Sequence, residues 1–320
     1  MDIKGKFFPV GQGLTYAFKV ENVHMLFDIR KQCNLKELEQ FYGDKKIDFM
    51  ILSHFHDDHM NGVDKLYKAG FSIKRIYIPY LNGDEQLLVE LHFLLRNGYY
   101  KNYNDLLEDI RRHDVEITEV EEYMLIEEPI WRFNIHQSRG NSAQFILKIK
   151  NSLKNLGINN NDDLKNYIKK NGISNIKNAY QKLGRKSQNQ TSIFLEHGPC
   201  ESVNGHISVV FNGFEFLTSS SKKDKMTRTH SLITGDMNLS KNKAIISQYY
   251  KDLGLVLVPH HSAVAEWDDS ICHNTTNLVW VVTIAEISSR PYGKIVQDIY
   301  NNNQELYICD KKNSFEYVFR

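Results

Sequence analysis

Ser53-His54-Phe55-His56-Asp57-Asp58-His59-Met60-Asn61-Gly62 follows the apolar run Phe49-Met50-Ile51-Leu52 and puts three imidazoles and two carboxylates within six residues. Such a cluster is costly unless a divalent ion binds it. Neutral imidazole and carboxylate suit Zn, Mn and Fe, whereas a structural zinc site more often shows thiolates at short spacing, and none of the cysteines lies near. In an extended segment leaving a strand, His54 and His56 point the same way, and a turn beyond them aims Asp58 and His59 at a second point. That spacing fits two ions better than one. The plain alternative is a polar surface loop, but composition seldom assembles these groups straight after a strand signal.

Two further strand-to-polar junctions stand later in the chain. Ser231-Leu232-Ile233-Thr234-Gly235-Asp236 ends an apolar run on a carboxylate, and Leu255-Val256-Leu257-Val258-Pro259-His260-His261-Ser262 ends one on paired imidazoles. Asp28 closes the hydrophobic run Val23-His24-Met25-Leu26-Phe27. It either caps the helix expected from Asn34 onward or braces the metal-binding loop, since a metal-bound histidine needs an outer acceptor.

The chain has 320 residues, 41% hydrophobic and 25% charged, with a net charge of +1. That is the composition of an ordinary globular protein with a sizeable core. It supplies no global basic field, so any contact with nucleic acid has to come from local patches. Cys33, Cys200, Cys272 and Cys309 are far apart and form no C-x-x-C pair, which predicts free thiols in a reducing cytoplasm. No signal-peptide pattern opens the chain, and no apolar run approaches the ~18 residues that span a bilayer. A soluble, cytoplasmic protein without a membrane partner is expected.

Glycine-permitted turns separate alternating segments from Lys6 to Asp28, a β-meander pattern that includes Val10-Gly11-Gln12-Gly13. Val63, Leu66 and Tyr67 predict a short helix ending at Gly70, and Ile73 to Ile78 a strand. Residues 84–112 read as helical. Trp131 to Ile135 and Phe145 to Ile149 read as strands, and residues 151–190 as weakly helical, with Lys182, Arg185 and Lys186 as a basic end. Near the C-terminus, Leu278 to Ile284 and Leu306 to Asp310 read as strands around a helix from Lys294 to Tyr300.

The cluster at His54–His59 resembles the signature of the metallo-β-lactamase superfamily. Val10-Gly11-Gln12-Gly13, Asn189-Gln190-Thr191-Ser192, the Thr234-Gly235-Asp236 segment and Pro259-His260-His261-Ser262 resemble the hydrolase domain of ComEC-type DNA-uptake proteins within it. The resemblance covers about two-thirds of the chain and departs from the pattern at Pro9, where those proteins have Asp. Asn189 stands where many members have a third-motif histidine, and Arg290 where a histidine often precedes Pro291.

The resemblance implies an α/β four-layer αβ/βα sandwich, one domain over residues 1–320 with a helical insertion or lid within 80–188. It implies that His54 and His56 hold one ion and Asp58 and His59 the other, that Asp236 bridges, and that Asp28 braces the loop from outside. His260, nearest its strand end, is assigned to the second ion, and His261 to the substrate or leaving group. Asn189 is a weak carbonyl ligand for the first ion, with His136, His197 and His206 as substitutes. The expected cofactors are two divalent ions, Zn or Mn. The expected function is hydrolysis of a phosphodiester of nucleic acid or a nucleotide through a metal-bound hydroxide, with Asp58 and His261 serving the chemistry. The alternatives are a catalytically degenerate binding or regulatory protein, with a protein partner, and a hydrolase of small esters, lactones or amides.

Overall fold

Alternation of apolar and polar residues makes the first three strands, because side chains on a strand point to opposite faces in turn. The computed structural model describes residues 2–11, 13–97, 103–139, 143–182, 191–200, 207–211, 214–217, 228–284 and 293–319. In chain order the strands are β1 (Ile3–Phe7), β2 (Tyr16–Val20), β3 (Val23–Phe27), β4 (Lys46–Ile51), β5 (Ser72–Pro79), β6 (Glu116–Val120), β7 (Tyr123–Glu127) and β8 (Trp131–Arg139). They continue as β9 (Thr191–Pro199), β10 (Ile207–Phe211), β11 (Phe214–Leu217), β12 (His230–Ile233), β13 (Leu253–Leu257), β14 (Val279–Thr283), β15 (Glu305–Cys309) and β16 (Phe315–Phe319). Among the described residues they form two sheets, ordered β11-β10-β16-β1-β2-β3-β4-β5-β6 and β15-β14-β13-β12-β9-β8-β7.

The inner faces of both sheets share one apolar core. Phe18, Phe27 and Ile51 come from the first sheet, and Phe133, Leu195, Leu257 and Val281 from the second. Burying side chains of this size contributes about 1.5–3 kcal/mol each, the main favourable term for the sandwich. Behind the second sheet, Trp280, Val256 and Leu232 pack with Ile271 of the short helix Ser270–Asn274 and Ile295 and Ile299 of the helix Gly293–Asn301. Behind the first sheet lies α1 (Leu35–Tyr42), whose Tyr42 ring stacks on His24 at 4.6 Å and whose hydroxyl donates to the Met25 carbonyl. The order is therefore helix, sheet, sheet, helix, and the chain has the mixed α/β fold that the motifs implied.

The helix α1 begins where Asn34 accepts the N–H groups of Lys36 and Glu37 and ends at Gly43 in the left-handed conformation. Asp28 is thus not its cap. Strands β12, β13 and β14 run parallel and are buried on both faces, so they read as continuous apolar runs.

The chain divides into two compact units. Residues 1–79, 116–138 and 192–320 form the sandwich, and 80–115 and 139–191 form the second unit. The expected insertion range of 80–188 therefore includes strands β6, β7 and the body of β8, which belong to the sheets. The second unit is helical, with helices Gly83–Asn97, Tyr103–Arg111, Ala143–Lys154, Asn161–Asn171 and Ser174–Lys182, and its core includes Leu91, Ile149, Leu153 and Leu164. Residues Phe145 to Ile149, expected as a strand, lie in the helix Ala143–Lys154. Ile149 and Leu153 are buried four residues apart and Leu147 is exposed, a helical spacing that the short run Phe-Ile-Leu conceals. No helix among the described residues is long and apolar enough to cross a membrane.

Candidate metal centre

Asp28, Ser53, Asp236 and the His260–His261 pair all stand just beyond the carboxyl ends of parallel strands. The pairs β3–β4 and β12–β13 each place two of these junctions side by side. Crevices at such strand ends are where open α/β sheets bind ligands. Gly235 lets the two sheets' loops meet: it has φ +54, and a Cβ there would stand 3.1 Å from the Cβ of Ser53. The loop of β4 is tied across by Ile193 N–H donating to the Ser53 carbonyl at 2.8 Å.

Asp28 is wholly buried and left-handed, at φ +56, a conformation that costs a non-glycine residue free energy unless its surroundings impose it. Its Oδ1 accepts from Ser53 N–H at 2.7 Å, and its Oδ2 accepts from Ser53 Oγ at 2.7 Å and from His59 Nδ1 at 2.6 Å. With the Ser53 hydroxyl hydrogen committed to Asp28, its oxygen accepts from His54 Nδ1 at 2.9 Å. The Thr283 carbonyl, which can only accept, takes the Nδ1 proton of His261 at 3.1 Å. Each of these rings therefore has its outer nitrogen engaged and its Nε2 turned inward, the tautomeric control that metal-binding histidines require.

The inward nitrogens surround Asp236. Its Oδ1 lies 3.3 Å from His59 Nε2 and 3.9 Å from His261 Nε2, and its Oδ2 lies 3.5 Å from His54 Nε2 and 3.7 Å from His260 Nε2. Asp58 Oδ2 is 3.7 Å from His261 Nε2. The Nε2 atoms of His54, His59 and His261 are buried and make no hydrogen bond. Buried polar atoms are rarely left so, and here all three converge on carboxylates. Two trios have ligand atoms within 4.8 Å of one another: His54, His59 and Asp236, and Asp58, His59 and His261.

The electrostatics agree with this donor set. Burial pushes His54 down to about 3 and His261 down to about 4, so both rings are neutral. Asp236 is held well below the usual carboxylate range, because the neighbouring His59, His54 and His260 outweigh its desolvation. Burial also lowers His59, but Asp236 and Asp28 on either side outweigh it and raise the ring well above 6.5. His54 and His261 are thus neutral imidazoles beside an ionised Asp236, and a divalent cation binding there would displace the proton that the two carboxylates hold on His59, so the residues present fit one.

Several expectations are relocated by the geometry. His261, not His260, stands with Asp58 and His59. Both histidines adopt left-handed backbone, φ 48 and 50, which splays their rings 6.4 Å apart and sends the second one inward. His261 is 4% exposed, whereas His260 is 24% exposed and has its Nδ1 3.7 Å from Glu266 Oε2. His56 lies in ring contact with His54, centroids 4.6 Å apart, and belongs to neither trio.

The expected substitute histidines sit elsewhere. His197 is buried between the sheets, where its Nδ1 accepts from Trp131 Nε1 at 3.1 Å and its Nε2 meets the Tyr16 hydroxyl at 2.9 Å. His136 bonds the Tyr249 hydroxyl at 2.8 Å. Asn189, His206, Arg290, Arg185 and Lys186 lie outside the described residues, as does the side chain of Lys182. Sequence reasoning gave no role to Ser53, Thr283 or Glu266. Only Ser53 carried a signal, its place at the head of the histidine cluster.

No model of a protein family matches the chain, and no curated protein does. Solved structures do. Unliganded yeast PDE1 aligns over 100% of both chains at 9% identity and a TM-score of 0.50. The metallo-beta-lactamase fold protein YhfI from Bacillus subtilis aligns over 99% of this chain and 100% of its own, at 10% identity and 0.46. Igni18, a novel metallo hydrolase from the archaeon Ignicoccus hospitalis, aligns over 98% of each chain at 9% identity and 0.46. At these identities the likeness concerns the fold alone. That shared fold is the mixed α/β arrangement of two sheets with helices outside them.

Proposed function

We propose that this chain is a two-metal phosphodiesterase acting on nucleic acid or a nucleotide. The observation that carries the reading is the division of Asp236, whose Oδ2 faces His54 and His260 while its Oδ1 faces His59 and His261. A carboxylate shared in this way neutralises two cations at once. His54, His56 and Asp236 would hold one ion, and Asp58, His59, His261 and Asp236 the other. Bound there, two divalent ions supply an acidified water at neutral pH and positive charge for the oxygens of the attacked group.

The chain's own residues supply orientation and exclusion of water. Asp28, Ser53 and Thr283 fix which ring nitrogens face inward. Burial of His54, His59, Asp236 and His261 keeps that part of the cluster in a low dielectric, where charges act more strongly than in water. His260, at the exposed side between Asp236 and Glu266, is the imidazole placed to meet a substrate oxygen. The phosphodiester class is supported by the resemblance of Val10–Gly13, Thr234-Gly235-Asp236 and Pro259–Ser262 to ComEC-type domains.

The test is a substrate panel with the Zn- or Mn-loaded protein: a chromogenic phosphodiester, a single-stranded oligonucleotide, a nitrophenyl ester and a lactone. Cleavage of the phosphodiesters, lost in Asp236→Asn, is the expected result. Cleavage of esters or lactones alone would leave a metallohydrolase and remove the phosphodiester assignment.

A further inference from the structure

Val10, Gly13, Leu14 and Arg30 take no part in the chemistry above, yet they press on the metal-binding loop. Leu14 N–H donates to the Asp58 carbonyl at 3.3 Å. Gly13 has φ +131, and a Cβ there would lie 2.6 Å from the Asp58 carbonyl oxygen and 2.6 Å from Arg30 Cδ. Only glycine lets this segment, the arginine stem and the loop come this close.

Arg30 is held from three sides. Its N–H donates to Thr15 Oγ1 at 2.9 Å, and its Nη1 donates to the Val10 carbonyl at 3.0 Å. Its backbone is pressed by Gly62, where a Cβ would meet the Arg30 carbonyl carbon at 2.9 Å. The flanking chain is zipped to the loop as well: Ile29 N–H donates to the His59 carbonyl at 2.8 Å, Gly62 N–H to the Ile29 carbonyl at 3.0 Å, and Lys31 N–H to Asn61 Oδ1 at 2.7 Å. Partial burial lowers the guanidinium, and the charge on Asp58 opposes that lowering. The arginine stem thus packs on the same Gly13 that lies against the Asp58 carbonyl, with its guanidinium tied to the Val10 carbonyl.

We propose that Arg30 with Gly13 and Leu14 forms a clamp that sets the position of Asp58, and so decides the affinity of the cation centre at Asp58, His59 and His261 and not of the centre at His54. Arg30 is a positioning residue here and touches no substrate. This rests on the two-ion reading above. Asp58 is the one ligand of that centre held by Gly13 and Leu14, whereas His54 is fixed by Ser53 and His261 by Thr283.

Cobalt(II) titration of the metal-free protein tests this, read by ligand-field absorption, with thermal unfolding as the control for folding. Arg30→Met and Gly13→Ala are expected to weaken the second equivalent about 10- to 100-fold, the range for losing an outer partner of a ligand, and to leave the first within about twofold. Arg30→Lys keeps the charge and should recover part of the loss at an unchanged melting temperature. Equal weakening of both equivalents, or of neither, would overturn the clamp. A wild-type protein that takes up fewer than two ions would remove the two-ion reading at the first titration, and the clamp with it.

Discussion

Asp28 Oδ2 and His59 Nδ1 lie 2.6 Å apart with both side chains wholly buried, so the imidazole that faces Asp236 is aimed from behind by a second carboxylate. Asp28→Asn keeps the shape and tolerates the left-handed backbone, because asparagine visits that region readily. The amide loses the charge and one acceptor. Metal affinity should fall about 10- to 100-fold with far-ultraviolet circular dichroism unchanged, measured by competition with a chromophoric chelator. Wild-type affinity in this variant would contradict the bracing role.

Asp236→Asn should cost far more turnover than stability. The amide keeps the volume but cannot neutralise two cations, and the loss of charge stabilisation at a reacting centre is on the order of 100-fold or more in rate. Its unfolding transition should stay cooperative, because the amide keeps the side chain's volume and one acceptor for the buried rings around it. Initial rates and denaturant unfolding on the same preparation check both halves.

His136 makes stability depend on pH. Burial pushes its ring down to about 4 in the folded chain, against an ordinary 6.5 unfolded. The unfolded chain binds the proton first, so stability is full above about 6.5 and is lost as pH falls towards 4. Between pH 7.5 and 4.5 this one ring accounts for about 2 to 3 kcal/mol, at about 1.4 kcal/mol per pH unit. In His136→Gln the acid loss of stability should shrink by that amount, as measured by urea unfolding at the two pH values. An unchanged pH slope would assign the acid sensitivity to other groups.

Gly235→Ala should disturb both fold and site. Its φ of +54 strains any L side chain, and the added Cβ would crowd Ser53 at 3.1 Å. A loss of about 1–3 kcal/mol is expected, together with reduced metal content, since the same crowding separates Asp236 from His54. Calorimetry and elemental analysis read the two effects.

Much of this site was legible because its chemistry is local in sequence. The cluster from His54 to His59 and the junctions at Asp236 and His260–His261 each follow a buried strand, and strand ends are where the sheets deliver ligands. What was not legible is set by backbone conformation and by distant partners. Nothing in Pro259-His260-His261-Ser262 announces two consecutive left-handed residues, so which imidazole turns inward could not be read from the order of residues. Glu266 meets His260 within the loop beyond β13, and Thr283 meets His261 from the end of β14, contacts that no local spacing announces. His197 has the residue type of a spare ligand, but Trp131, from β8, occupies its Nδ1. The helix at Phe145 was hidden because three consecutive apolar residues fit either period.

Everything proposed for the chemistry depends on Asp236 lying between two cations, and anomalous X-ray scattering from crystals grown with Zn or Mn would locate them. Two peaks are predicted, one on the Oδ2 side among His54, His56 and Asp236, the other on the Oδ1 side among Asp58, His59 and His261. A single peak, or none at full metal supply, would contradict the two-cation site.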